Sequence, residues 1–151
     1  MSDNSPADTA SVIIEKPAAE VFEFMSRCEN LNLWSFGTWE ITLQGDGLVQ
    51  GKTLQDGSTV WVKIDAHKDQ RLIDYHIGTE KDNLTPRIFC RIMPGESFLA
   101  PASHCMLMMT ALRTTDMSNE RWRNLSALHI VETGIIKSLI ESGHDHRHST
   151  N

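Results

Sequence analysis

The sequence predicts an α+β fold: a strongly curved antiparallel sheet of about seven strands wrapped around a long C-terminal helix, with two short helices after the first strand. Three observations lead there. Ser118–Glu141 repeats its apolar residues at helical spacing over the longest uninterrupted stretch of the chain. Between Thr38 and Arg113, short segments alternate apolar and polar residues and are separated by Gly, Pro and Asp turn signals. No helical pattern separates those segments, so hairpins rather than crossover helices join them.

In chain order, residues 1–10 are rich in Ser, Asp, Asn, Pro and Ala and read as a disordered lead-in. Ser11–Glu15 is a β-branched strand, which Lys16-Pro17 ends; Pro at a first helical position costs no hydrogen bond. Val21, Phe22, Phe24, Met25 and Cys28 then mark an amphipathic helix, and Glu29–Trp34 a second helical piece. Thr38–Gln44 alternates, with Trp39, Ile41 and Leu43 on one face. Gly45-Asp46-Gly47 turns the chain into Leu48–Leu54, and Asp56-Gly57 is a hairpin signal. Val60, Val62 and Ile64 form one face of the next strand, and Ile73, Tyr75 and Ile77 one face of the strand after it. Pro86–Met93 and His104–Arg113 complete the sheet, and Ser118 or Asp116 caps the final helix. One domain, 11–142, is expected, followed by a disordered tail, 143–151, whose His144, His146 and His148 have no fold to hold a metal.

The totals narrow the function classes. A formal charge of -6 with scattered Lys and Arg argues against nucleic acid. The opening residues carry no apolar segment, so neither a signal peptide nor a membrane span is expected, and a cytoplasmic address follows by default. Cys28, Cys90 and Cys105 lack metal-ligand spacing and are expected as free thiols; no metal and no cofactor is implied.

The long helix carries the most informative anomaly. Trp122, Leu125, Leu128, Val131, Ile135, Ile136, Leu139 and Ile140 share one side of it, and Glu132 and His129 lie within the same arc. An ionisable group there must be paired, neutral or facing a polar cavity. Glu132 and His129 are helix neighbours, so one alternative is a structural pair; the other is a cavity acid/base or ligand anchor. In the strand Pro86–Met93, Ile88, Cys90 and Ile92 are taken to face inward, leaving Arg87, Phe89 and Arg91 on the convex side. The opposite orientation would bring arginines near Glu132 and make the cavity a receptor for acidic groups. In the last strand His104, Met106, Met108, Thr110 and Leu112 are taken as inward. Leu107 and Met109 then join Phe89 and Trp61 in a convex apolar patch, on which a homodimer is expected.

The opening Val12–Ile14, Lys16-Pro17-Ala18-Ala19-Glu20-Val21-Phe22-Glu23-Phe24, Glu29-Asn30-Leu31 and Trp34, with the late Thr110–Arg113 strand, Glu120–Trp122 and the long helix, resemble the START-like (helix-grip, SRPBCC) superfamily in its polyketide cyclase/dehydrase-like branch. The resemblance spans roughly residues 10–141 in element order. It implies a deep hydrophobic cavity between sheet and terminal helix and no obligatory cofactor, but not one activity. The first expectation is therefore a carrier or sensor of a hydrophobic small molecule such as a lipid or polyketide-like compound. Its ligand-binding candidates are Trp34, Trp39, Tyr75, His104, Met106, Met108, Thr110, Leu125, His129, Glu132 and Ile136. The alternatives are a cyclase/dehydratase-type lyase using Glu132 and His129 as acid and base, and a protein-partner module.

Overall fold

The structure, a computed structural model, describes residues 4–148. The chain forms β1 (Ala7–Ile14), α1 (Ala18–Ser26), a 3-10 turn (Cys28–Asn30) and α2 (Leu31–Trp34), then β2 (Trp39–Gly45), β3 (Leu48–Lys52), β4 (Thr59–His67), β5 (Leu72–Glu80), β6 (Asn83–Pro94), β7 (Cys105–Leu112) and α3 (Asn119–Ser142). The seven strands form one open sheet in the order β1-β7-β6-β5-β4-β3-β2, every neighbour antiparallel. β2 to β7 follow one another through the sheet, as short hairpin connections dictate, and β1 returns to pair with β7.

Both predicted disordered stretches are shorter than expected. The first strand starts at Ala7, with Ala10 buried against the core, and Pro6 accepts a backbone hydrogen bond from Arg113. Beyond α3, Arg147 donates to the Glu29 carbonyl at 2.9 Å and to Asn30 Oδ1 at 3.0 Å, which ties this part of the tail to the first 3-10 turn. Residues 1–3 and 149–151 of those stretches lie outside the described residues.

α3 begins where expected. Ser118 Oγ accepts from the Arg121 N–H at 3.2 Å, and Gly143 ends the helix at φ 70°, a left-handed conformation that glycine adopts without strain. Its buried stripe is rotated from the predicted arc: Trp122, Ser126, His129, Thr133, Ile136 and Ile140 are buried, while Val131 is half exposed. Those residues recur at intervals of three and four, so the stripe is one helical face. Two of its polar positions, Ser126 and Thr133, are hydrogen-bonded. Ser126 Oγ donates to Asp8 Oδ2 of β1 at 2.6 Å, and Thr133 Oγ1 to the Ile130 carbonyl at 3.0 Å.

The facing of β7 reverses the expectation. Cys105, Leu107, Met109 and Ala111 are buried inside, whereas His104, Met106, Met108 and Thr110 are only partly covered and Leu112 is exposed. Cys90, which faces inward from β6, pairs with Met109, so the odd-numbered residues of β7 share its face. Both faces of β7 are rich in methionine and leucine, so alternation alone did not choose between them. Cys90 and Cys105 therefore both point inward, four residues apart along the ladder, and all three cysteines are free thiols.

Trp122 is fully buried among Ala111, Met117, Ile88 and Leu125, and its indole N–H has no hydrogen-bond partner among the described residues. Trp122→Ala should cost about 3–5 kcal/mol of stability. Trp122→Phe, which removes the unmatched N–H and keeps most of the volume, should cost clearly less; urea unfolding of both variants checks the order.

Candidate functional site

The core does not fill the space between α3 and the concave side of the sheet. A cavity of about 600 Å³ lies there, within the range of small-molecule sites. Its apolar walls come from Leu31 and Trp34 below, Val60 and Val62 of β4, Ile77 of β5, Ile88 of β6, Met109 of β7, and Leu125 and Leu128 of α3. Inward alternation along the central strands supplies one wall residue at every second position. The rim is polar, with Thr53, Gln55, Asp56 and Ser58 between β3 and β4 facing Thr114, Asp116 and Arg121 near the start of α3.

Glu132 reaches this cavity from the helix and is 4% exposed. Burial pushes its carboxyl up to about 8, and a hydrogen bond from the Phe36 backbone only partly opposes that. At neutral pH it is a carboxylic acid, a donor as well as an acceptor. His129 lies one turn earlier. Burial lowers it to about 4, with Asp8 opposing and Arg87 adding to the shift, so the imidazole is neutral. Among the described residues its Nδ1 has no hydrogen-bond partner, which disfavours the Glu132–His129 structural pair. Tyr75 stands opposite on β5, edge-on to Trp34 with ring centroids 6.3 Å apart. Its buried hydroxyl lies beside Cys90 and within the field of Glu132, without a hydrogen-bond partner of good geometry, and burial first and then Cys90 raise it well above the usual phenol range. Burial likewise pushes the Cys90 thiol up to about 12, so it carries no thiolate character.

Of the sequence candidates, Trp34, Tyr75, Leu125, His129 and Glu132 line one cavity. Ile136 is completely buried in the main core, and Trp39 is half-buried on the edge strand β2, where neither reaches the cavity wall. His104, Met106, Met108 and Thr110 belong to the convex side for the register reason given above; Thr110 Oγ1 there meets Thr9 Oγ1 at 2.8 Å across β1. Also on that side, Asp65 and Asp74 are cross-strand partners with His67 Nε2 3.4 Å from each carboxylate, an imidazole set between two like charges.

Arg87 is the residue whose placement the alternation missed. β6 pairs Ile88 with Tyr75 but Pro86 with His76, so Arg87 is an extra residue in the ladder. At such a bulge the side-chain alternation breaks, and Arg87 and Ile88 both line the cavity. The signal was present: proline inside a strand is confined to edges and bulges, and Pro86 sits in a strand with several neighbours on either side.

These shifts set a pH profile of stability. From about pH 4.5 to 8 the folded chain holds the Glu132 proton that the unfolded chain has released, so rising pH favours unfolding. From about pH 4 to 6.5 the unfolded chain binds a proton at His129 that the folded chain refuses, so rising pH favours folding. The two contributions cancel between about pH 4.5 and 6.5, and only the Glu132 loss continues above that. Stability should fall by about 2 kcal/mol from pH 6.5 to 8, at roughly 1.4 kcal/mol per unit. Glu132→Gln should abolish that fall, and His129→Asn should extend it down toward about pH 4.5; denaturant titrations at several pH values check both.

Neither a protein-family model nor a curated protein matches the chain. Solved structures do. The protein XoxI from Bacillus cereus superposes with a TM-score of 0.70 at 13% identity, over 93% of this chain and 100% of that one. The Zhui aromatase/cyclase from a Streptomyces species gives 0.61 at 13% identity, over 95% and 98%. Ara h 8.0201 gives 0.59 at 14% identity, over 90% and 97%. With its seven-stranded sheet, paired short helices and long terminal helix, the chain has the START-like helix-grip fold that polyketide cyclase-like proteins share.

Proposed function

We propose that the protein binds a hydrophobic small molecule in the cavity between its sheet and α3. One observation carries this reading: a cavity of about 600 Å³ with apolar walls holds, at its inner end, three polar groups that are neutral at pH 7. Two of them, the Tyr75 hydroxyl and His129 Nδ1, lack partners in the described structure. Buried polar atoms without partners are costly, so a carbonyl or hydroxyl brought in by a ligand would satisfy them. The likeness to an aromatase/cyclase and to Ara h 8.0201 supports a fold with room for a ligand, and no more than that.

A cyclase/dehydratase-type enzyme is the second reading, favoured by the proton on Glu132. There Glu132 would give its proton to a departing hydroxyl, and neutral His129 would take one from the carbon beside a carbonyl. The homodimer remains part of the proposal with a different surface, since Ile13, Met93, Met106, Met108 and Phe89 now share the convex face of β1, β7 and β6. No helix among the described residues is long and apolar enough to cross a membrane.

Native mass spectrometry of the purified protein should show a co-purifying small molecule or an open site. In either state, N-phenylnaphthylamine should bind with saturable fluorescence and displace what is there. Ile77→Trp, which fills the cavity from β5, should weaken that binding at least about tenfold, while Leu43→Trp on the exposed side of β2 should leave it unchanged. Equal binding by both variants would contradict the assignment. Glu132→Gln separates the two readings: turnover of a bound compound that this variant alone abolishes favours the enzyme, whereas a ligand recovered unaltered from both proteins favours the carrier.

A further inference from the structure

The rim of the cavity differs in charge from its interior. Arg87 enters through the β6 bulge and is largely removed from water. Among the described residues its guanidinium makes no ion pair and no side-chain hydrogen bond. The charged and titratable groups that face it are Arg121 and His129 on α3 and Asp116 just before that helix. Arg121 repels it, His129 is neutral, and Asp116 attracts it from outside ion-pair distance. Asp116, and the Asp56 that Arg121 also attracts, are fully exposed, so water screens what they offer. A guanidinium cannot relieve its burial by losing a proton at neutral pH. Two arginines thus flank an opening in a chain whose net charge is -6, and the more buried of them is unmatched.

Deeper in, the polar groups have the opposite character. Tyr75, His129 and Glu132 are uncharged at neutral pH and suit a neutral acceptor or donor rather than an ion. Apolar side chains, among them Val62, Ile77, Ile88, Met109 and Leu128, make up much of the wall, with Thr59, Thr79 and Thr85 also lining it. The cavity is therefore polarised along its length, with the anion-seeking end toward water.

We propose that the ligand is an amphipathic organic acid, bound with its anionic group against Arg87 and Arg121 and its apolar body directed inward toward Tyr75 and Glu132. This rests on reading the cavity as a binding site. Arg87 then sets specificity and direction of entry, because a bidentate guanidinium–carboxylate contact holds one end of the molecule at the rim. An apolar compound without the acid would still fill the walls but leave Arg87 unmatched.

Two matched fluorescent probes test it: anilinonaphthalene sulfonate, and N-phenylnaphthylamine, which is the same aromatic body without the sulfonate. The intact chain should bind the sulfonate at least about tenfold more tightly, with an affinity that falls as salt rises. Arg87→Gln should remove that advantage and leave the neutral probe within about threefold, and Arg87→Lys should restore part of it. Arg91→Gln, on the same strand but exposed on the convex face, should change neither. If the sulfonate gains nothing over the neutral probe, or if Arg87→Gln weakens both probes alike, the acid assignment is wrong while the cavity reading stands. If neither probe binds the intact chain, both fail together.

Discussion

α3 is held to one side of the sheet rather than laid across its middle, and the interior follows from that placement. Ser126 Oγ bonds Asp8 of β1, and Lys137 Nζ reaches both the Ile13 carbonyl at 2.9 Å and Glu141. Glu141 in turn accepts from the Glu15 N–H at 3.4 Å. These links and the buried stripe from Trp122 to Ile140 fasten the helix along β1 and β7. Its other side faces the cavity that Val62, Tyr75 and Ile88 line from β4, β5 and β6. A sheet so curved and a helix so tethered leave a volume that side chains of ordinary size do not fill.

That volume decides the state of every ionisable group on its wall. Among the described residues no cation pairs with Glu132, so desolvation wins and the proton stays. His129 loses its proton for the same reason, with Arg87 helping. Arg87 has no neutral form to retreat to, and its charge persists at the rim. One physical term, the cost of taking charge out of water, thus produces a neutral interior and a cationic entrance from residues of very different chemistry.

Much of the fold was readable because hairpin signals, alternation and the one long helical period are local properties. The succession of β2 to β7, the Ser118 cap and the inward faces of β4 and β5 all follow from them, whereas the place of β1 beside β7 does not. So did the anomaly of Glu132, since a carboxylate in an apolar arc stands out in any helix. What the sequence hid was register. β7 is apolar on both faces, so its direction depended on pairing Cys90 with Met109, a long-range fact. Arg87 was obscured by a bulge that moves one side chain across the sheet, although Pro86 beside it marked the spot. The lead-in and the tail were misread for a related reason: their composition is polar, yet Ala7–Ala10 pairs with Met109–Leu112, and Arg147 finds two acceptors 117 or more residues away.

Glu132 is an uncharged acid looking into an open interior. Carbon-13 NMR of side-chain carboxyls, assigned by difference from Glu132→Gln, measures it directly. The Glu132 resonance should titrate near pH 8 and shift when N-phenylnaphthylamine binds. Titration in the ordinary range near 4.5, with no response to the probe, would contradict it.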